Sequence, residues 1–111
     1  METVTVAYLN EWIDDRIERR VTNGAKDRGD VSGLRVYRQK VVVEVKDCAK
    51  TDLSGWAREA ETERVNDEAL AGFVVHKRRG VSDPGSQWVH MTLRDLVALI
   101  NGERPEEKEE G

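Results

Sequence analysis

The segment Val41-Val42-Val43-Glu44-Val45-Lys46 decides how this chain folds. Three consecutive valines suit a strand buried within a sheet, and the alternation that follows gives its end two different faces. Glu44 and Lys46 project together, while Val43 and Val45 turn the other way, toward a covering helix. Upstream, Leu34 to Tyr37 is the natural hairpin partner, turning around Arg38-Gln39-Lys40. With that turn centred on Arg38, residue 32 is expected opposite 44 and residue 30 opposite 46. Asp30 then lies on the face of Glu44 and Lys46.

Working outward, residues 2 to 13 carry Val6, Leu9, Trp12 and Ile13 at helical spacing, and Arg16 to Val21 is a short candidate strand. Thr22 to Gly29 is a loop by composition. Beyond the valine strand, Asp52 is placed to cap a helix from Leu53 toward Ala69 or Leu70, with Trp56 and Ala60 on one face and Gly72 as its stop. Phe73-Val74-Val75 begins a strand apolar enough to be central. A loop over Arg79 to Ser86 leads to a strand from Gln87 to Met91. Thr92 caps a last helix through Ile100, whose apolar face is Leu93, Leu96, Val97 and Ile100, and Asn101-Gly102 ends it. The order implies an α/β fold, a mixed central β-sheet flanked by helices. Residues 1–102 read as a single domain and 103–111 as an acidic tail expected to be disordered.

Composition sets limits. Of 111 residues 36% are charged and only 5% aromatic, so the core must rest on Val, Leu, Ile and three Trp. No stretch approaches the ~20 apolar residues of a membrane span, and no signal peptide is read. A single cysteine, Cys48, excludes an internal disulfide and, with only His76 and His90, makes a structural zinc site unexpected. A cytoplasmic setting follows as the expectation. The net charge of -4 hides its distribution. Residues 103 to 111 hold five acids against Arg104 and Lys108, whereas residues 16 to 40 hold eight bases against Glu18, Asp27 and Asp30. Lys77-Arg78-Arg79 is a second basic cluster. Such runs suit a phosphate backbone or simply a solvated surface.

Two carboxylates and a lysine converging on one strand end are what hydrolysis of a phosphodiester requires. Asp30 and Glu44 can hold Mg²⁺, a hard cation that prefers oxygen ligands, with Mn²⁺ as an alternative. The cation lowers the pKa of a bound water and polarises the phosphoryl oxygen, and Lys46 can stabilise the charge that develops. The bland alternative is an exposed strand end whose Glu and Lys form an ordinary surface pair.

At these residues the chain resembles the PD-(D/E)xK nuclease superfamily, and more narrowly the small phage-encoded Holliday junction resolvase-like endonucleases. The resemblance runs through Asp15 to Arg20, Asn23 to Asp30, Val43-Glu44-Val45-Lys46-Asp47, Gly55-Trp56 and Val75 to Gly80. It implies a restriction-endonuclease-like core, Asp30 and Glu44 as metal ligands, and Lys46 as the catalytic lysine. Relatives often add a Glu from the first helix, and Glu2 sits where it would fall; Glu2 can equally be a favourable charge at a helix N-terminus. Gly29 stands where the superfamily has its proline, and the helix after the motif offers Glu59, Glu61 and Glu63 but no glutamine. The implied activity is Mg-dependent cleavage of DNA, foremost of branched DNA, in a bacterium or phage-infected host cell. A less selective duplex-nicking or repair nuclease and a non-catalytic DNA-binding module that keeps the fold are the alternatives. Symmetric cutting of a four-way junction needs two active sites, hence a homodimer. Its interface could come from the final helix, the Trp56 helix or the apolar residues near Trp88. Arg19, Arg20, Lys26, Arg28, Lys77, Arg78 and Arg79 are the expected DNA contacts. Lys77 is favoured as a phosphate contact over His76 as a general base, and Trp56 and Trp88 are read as core or interface residues.

Overall fold

The computed structural model describes residues 1–20 and 29–105. Three helices, α1 (Glu2–Trp12), α2 (Leu53–Asn66) and α3 (Leu93–Asn101), flank a six-stranded mixed sheet. The strands are β1 (Glu18–Arg19), β2 (Val31–Ser32), β3 (Arg35–Val36), β4 (Gln39–Lys46), β5 (Ala71–His76) and β6 (Trp88–His90). The sheet runs β1-β2-β4-β5-β6, with β3 paired to β4 beside β2. Among the described strands only β4 and β5 pair in parallel, joined by the α2 crossover, as a parallel pair requires.

The valine strand is the centre. Val41, Val42 and Val43 are all buried. Val41, Val43 and Val45 join Ile17, Val31, Leu34 and Val75 in one core, against which Met1, Val6 and Leu9 pack from α1. On the opposite face Trp56 and Ala60 of α2 pack on Val74. The sheet thus separates two apolar layers, and β4 presents Glu44 and Lys46 to the α2 side.

The hairpin differs from expectation in register. Its turn is the two residues Tyr37 and Arg38, both with positive φ (52° and 64°), leaving Val36 opposite Gln39 and Arg35 opposite Lys40. Val31 lies opposite Val43, which sets Asp30 beside Glu44 instead of Lys46. The offset between these two registers is one residue. Ser32 and Gly33 together face Val42, a β-bulge made possible by Gly33 at φ 90°. A Cβ at Gly33 would stand 2.4 Å from the Arg16 carbonyl oxygen, so only glycine fits.

Other boundaries moved for physical reasons. Helix α2 ends at Asn66, not near Leu70. Asp67 caps its last turn by donating its backbone N–H to Glu63 O at 2.9 Å, and Glu68 adopts φ 52°. Gly72 is no helix stop: it lies inside β5, where Ala60 presses so close that a Cβ would meet its carbonyl oxygen at 3.3 Å. Val6 and Leu9 face the core as expected, but Trp12 and Ile13 are exposed. The apolar face expected for α3 is likewise turned outward, with Asp95 and Ala98 buried in its place. Residue 104, expected within a disordered tail, is docked: Arg104 Nη1 donates to Asp95 Oδ1 at 2.6 Å and to Leu70 O at 2.9 Å. Among the described residues, no helix is long and apolar enough to cross a membrane.

Candidate metal centre

Asp30, Glu44 and Lys46 meet at the end of β4 under α2. The backbone of Asp30 is fixed from both sides: its N–H donates to Val43 O at 3.0 Å and its carbonyl accepts from Arg20 N at 2.8 Å. Its carboxylate turns onto β4, where Oδ2 accepts from Val45 N at 2.8 Å. Gly29, just before it, has φ 95°, and a Cβ there would fall 2.9 Å from Val42 Cγ1. Proline, locked near φ -65°, cannot take that conformation, which accounts for glycine at this position.

Helix α2 completes the site with two side chains not assigned there from sequence. Oxygens of Glu44, Glu59 and Glu63 lie within 4.8 Å of one another. Glu63 is 1% exposed and sits on the same helical stripe as Ala60 and Trp56, three and seven residues before it. That spacing was the available signal. Glu59 reaches Lys46, whose Nζ donates to its Oε1 at 3.0 Å and its Oε2 at 2.8 Å. Lys46 Nζ also stands 3.6 Å from Glu44 Oε1.

The electrostatics are those of crowded negative charge. Glu44 is buried, and among the described residues no N–H or hydroxyl donates to its Oε2. Burial pushes its carboxyl up to about 7; the charges of Asp30 and Glu59 add to this, while a hydrogen bond with Glu63 works against it. Burial alone would lower the Lys46 ammonium. The bonds to Glu59, then the charges of Glu59, Glu44 and Asp30, outweigh it and leave the lysine above its ordinary value. Lys46 is therefore a cation at neutral pH, suited to stabilising charge and unsuited to removing protons. A site of hard oxygen donors, with an undonated buried oxygen among them, fits Mg²⁺ or Mn²⁺.

The remaining sequence-derived residues lie elsewhere. Glu2 is not brought to this cluster. Its Oε2 accepts from Arg19 Nε at 2.9 Å, in a shallow cavity lined also by Val45 and Asp47, on the α1 side of the sheet. Arg20 Nη2 pairs with Asp67 Oδ2 at 3.3 Å. Lys77 Nζ donates to the Arg78 and Val81 carbonyls, holding the loop that follows β5. The Arg78 guanidinium stacks 4.2 Å over the half-exposed Trp88 ring, and Arg79 is exposed. Lys26 and Arg28 lie outside the described residues. His76 is level with Lys46 on the adjacent strand, but both its ring nitrogens are engaged: Nδ1 with His90 Nε2 at 3.2 Å and Nε2 with Cys48 O at 3.3 Å. Its ring is packed edge-on to Trp56 at 4.8 Å, a structural position.

Comparison with protein-family models, with curated proteins and with solved structures finds no match for this chain.

Proposed function

We propose that the chain is a metal-dependent DNA endonuclease of the PD-(D/E)xK type, with a restriction-endonuclease-like core, acting on branched DNA. The single observation that carries the reading is the convergence of Asp30, a buried Glu44 and Lys46 at one strand end, with Lys46 Nζ 3.6 Å from Glu44 Oε1. Burying Glu44 beside Glu59 and Glu63 costs stability, and the single ammonium of Lys46 offsets only part of the charge of three carboxylates.

In this reading Glu44 is the central ligand of Mg²⁺, Glu59 and Glu63 stand with it as three carboxylates within 4.8 Å of one another, and Asp30, the second ligand expected from the sequence, lies outside that group of three. Bound there, the cation supplies a water of lowered pKa and polarises the scissile phosphate. Val45 N–H fixes the orientation of the Asp30 carboxylate. Lys46, after leaving Glu59, places its ammonium against the charge developing on the phosphoryl oxygens. The exposed Arg79 is a candidate phosphate contact, Arg19 is one if it releases Glu2, and Lys26 and Arg28, outside the described residues, are candidates by sequence alone. Arg20, Lys77 and Arg78 are tied to protein partners and serve first to hold the loops.

Paired cuts across a four-way junction require two such sites, which makes a homodimer part of the proposal. The test is cleavage of a labelled four-way junction and a matched linear duplex in Mg²⁺ and in EDTA, with Lys46→Ala beside the unmodified chain. Symmetric junction cuts lost in EDTA, and reduced at least 100-fold in the variant with DNA binding retained, are the expected result. Equal cutting of both substrates would make it a general nuclease. Binding without cutting would leave a non-catalytic module.

A further inference from the structure

Positive charge gathers in a pocket where β4 begins, at the other end of the strand from the metal centre. Arg35 and Lys40 stand directly opposite each other across the β3–β4 pair, so their side chains leave the sheet on the same face. Lys40 Nζ lies 3.6 Å from one oxygen of Asp67, the residue that closes α2, and Arg20 Nη2 lies 3.3 Å from the other. The three cations line a cavity with Ser32 and Gly33 of the bulge; its volume of about 220 Å³ equals roughly seven waters at ~30 Å³ each, enough for a phosphate group and part of its shell. Lys40 and Glu44 share a face of β4 four residues apart, ~13 Å along the strand, so this pocket is distinct from the carboxylate cluster.

Its charges do not balance. Like charges directly opposite across an antiparallel pair destabilise it, and Asp67 is the one carboxylate among the lining residues. With the carbonyl end of α2 counted as about half a negative charge, three cations keep an excess of roughly +1.5. The Nε of Arg20 is also buried, and among the described residues no atom accepts from it. We propose that this pocket binds a phosphate dianion, either free in solution or at the end of a nucleic-acid strand. Such a group carries about -1.5 to -2 charge near neutral pH, which matches the excess, and three acceptor oxygens for three cations. A diester within a strand carries a single charge and leaves part of the excess unanswered. Two guanidinium forks and one ammonium are donors suited to phosphate oxygens. The site stands without the nuclease reading, which bears only on whether the phosphate arrives on DNA.

The test is calorimetric titration of the whole chain with inorganic phosphate in EDTA, at pH 7.5 and constant ionic strength set with chloride. We expect one phosphate per chain, and binding at least ~10-fold weaker for dimethyl phosphate, which has one charge. Arg35→Gln and Lys40→Gln, both at exposed positions, should each weaken phosphate at least ~10-fold, whereas Arg79→Gln, outside the pocket, should leave it unchanged. Arg35→Lys, which keeps the charge, should retain most of the affinity and guards against a variant that fails to fold. Absence of phosphate binding, equal affinity for dimethyl phosphate, or full affinity in both glutamine variants would overturn the inference. The source is read by comparing 5′-phosphorylated and 5′-hydroxyl forms of one oligonucleotide. A preference for the phosphorylated form that Arg35→Gln removes assigns the site to strand ends, and equal binding of the two forms assigns it to free phosphate. A chain that holds phosphate but cuts no DNA would lose the nuclease reading and keep this one; a chain that cuts DNA and binds no phosphate would do the reverse.

Discussion

Glu44 sits where its own charge is opposed by burial and by two neighbouring carboxylates, so its protonation is tied to the stability of the whole domain. An unfolded Glu titrates near 4.5 and this one near 7. Between those values the folded state binds the extra proton, so stability falls as pH rises through that window. In EDTA the chain should be roughly 2 to 3 kcal/mol less stable at pH 8 than at pH 5 on this account. Saturating Mg²⁺ should remove most of the difference, because a bound cation holds the carboxylate ionised. Glu44→Gln should flatten the pH dependence, raise the melting temperature at pH 8 in EDTA, and abolish the response to Mg²⁺. Thermal melts of both proteins at pH 5 and 8, with and without Mg²⁺, check all three. An unmodified chain that gains nothing from Mg²⁺ at pH 8 would remove the cation from this site.

At the scale of elements, α3 shows how a polar contact can override a hydrophobic pattern. Its existence and limits were readable: Thr92 caps it, accepting from Asp95 N at 3.2 Å, and Gly102 closes it at φ 75°. Its orientation was not readable, because the decision lies with Asp95 and its partner Arg104, nine residues on and beyond the expected domain edge. Removing Arg104 leaves a buried carboxylate without its cation. Arg104→Ala should therefore cost about 3 kcal/mol and lower the melting temperature by more than ~10 °C in a domain of this size. A calorimetric scan measures it, and a change within one or two degrees would show that the Asp95–Arg104 pair adds nothing to stability. The same contrast holds across the site. The strand carrying Glu44 and Lys46 was legible from alternation alone. β2 was not, since two residues carry no periodicity and owe their pairing to β1 and β4 on either side. Glu59 and Glu63 were visible as acids, but in a helix this charged only the Trp56-Ala60-Glu63 stripe marks which one turns inward.

At the scale of the whole molecule, the sheet puts its larger apolar core on one side and its chemistry beside the smaller apolar layer on the other. α1 seals one face, while α2 brings glutamates to the other. Everything needed at the site then depends on which side of β2 Asp30 occupies, and that is set three residues away. Were the ladder regular from the Tyr37-Arg38 turn onward, Val31 would face Glu44 and Asp30 would point toward α1. The extra residue at Ser32-Gly33 works as a half-period phase shift. Its presence has an unusual consequence for tolerance to change: deleting Gly33 should harm the site less than filling it. A chain one residue shorter can run straight and still bring Asp30 opposite Glu44. Gly33→Val keeps the extra residue but denies it the required conformation, setting the side chain against the Arg16 carbonyl. Stabilisation by Mg²⁺ should survive in the deletion and vanish in the valine variant, and melts of the two would show whether the site is kept by a residue's identity or by a count.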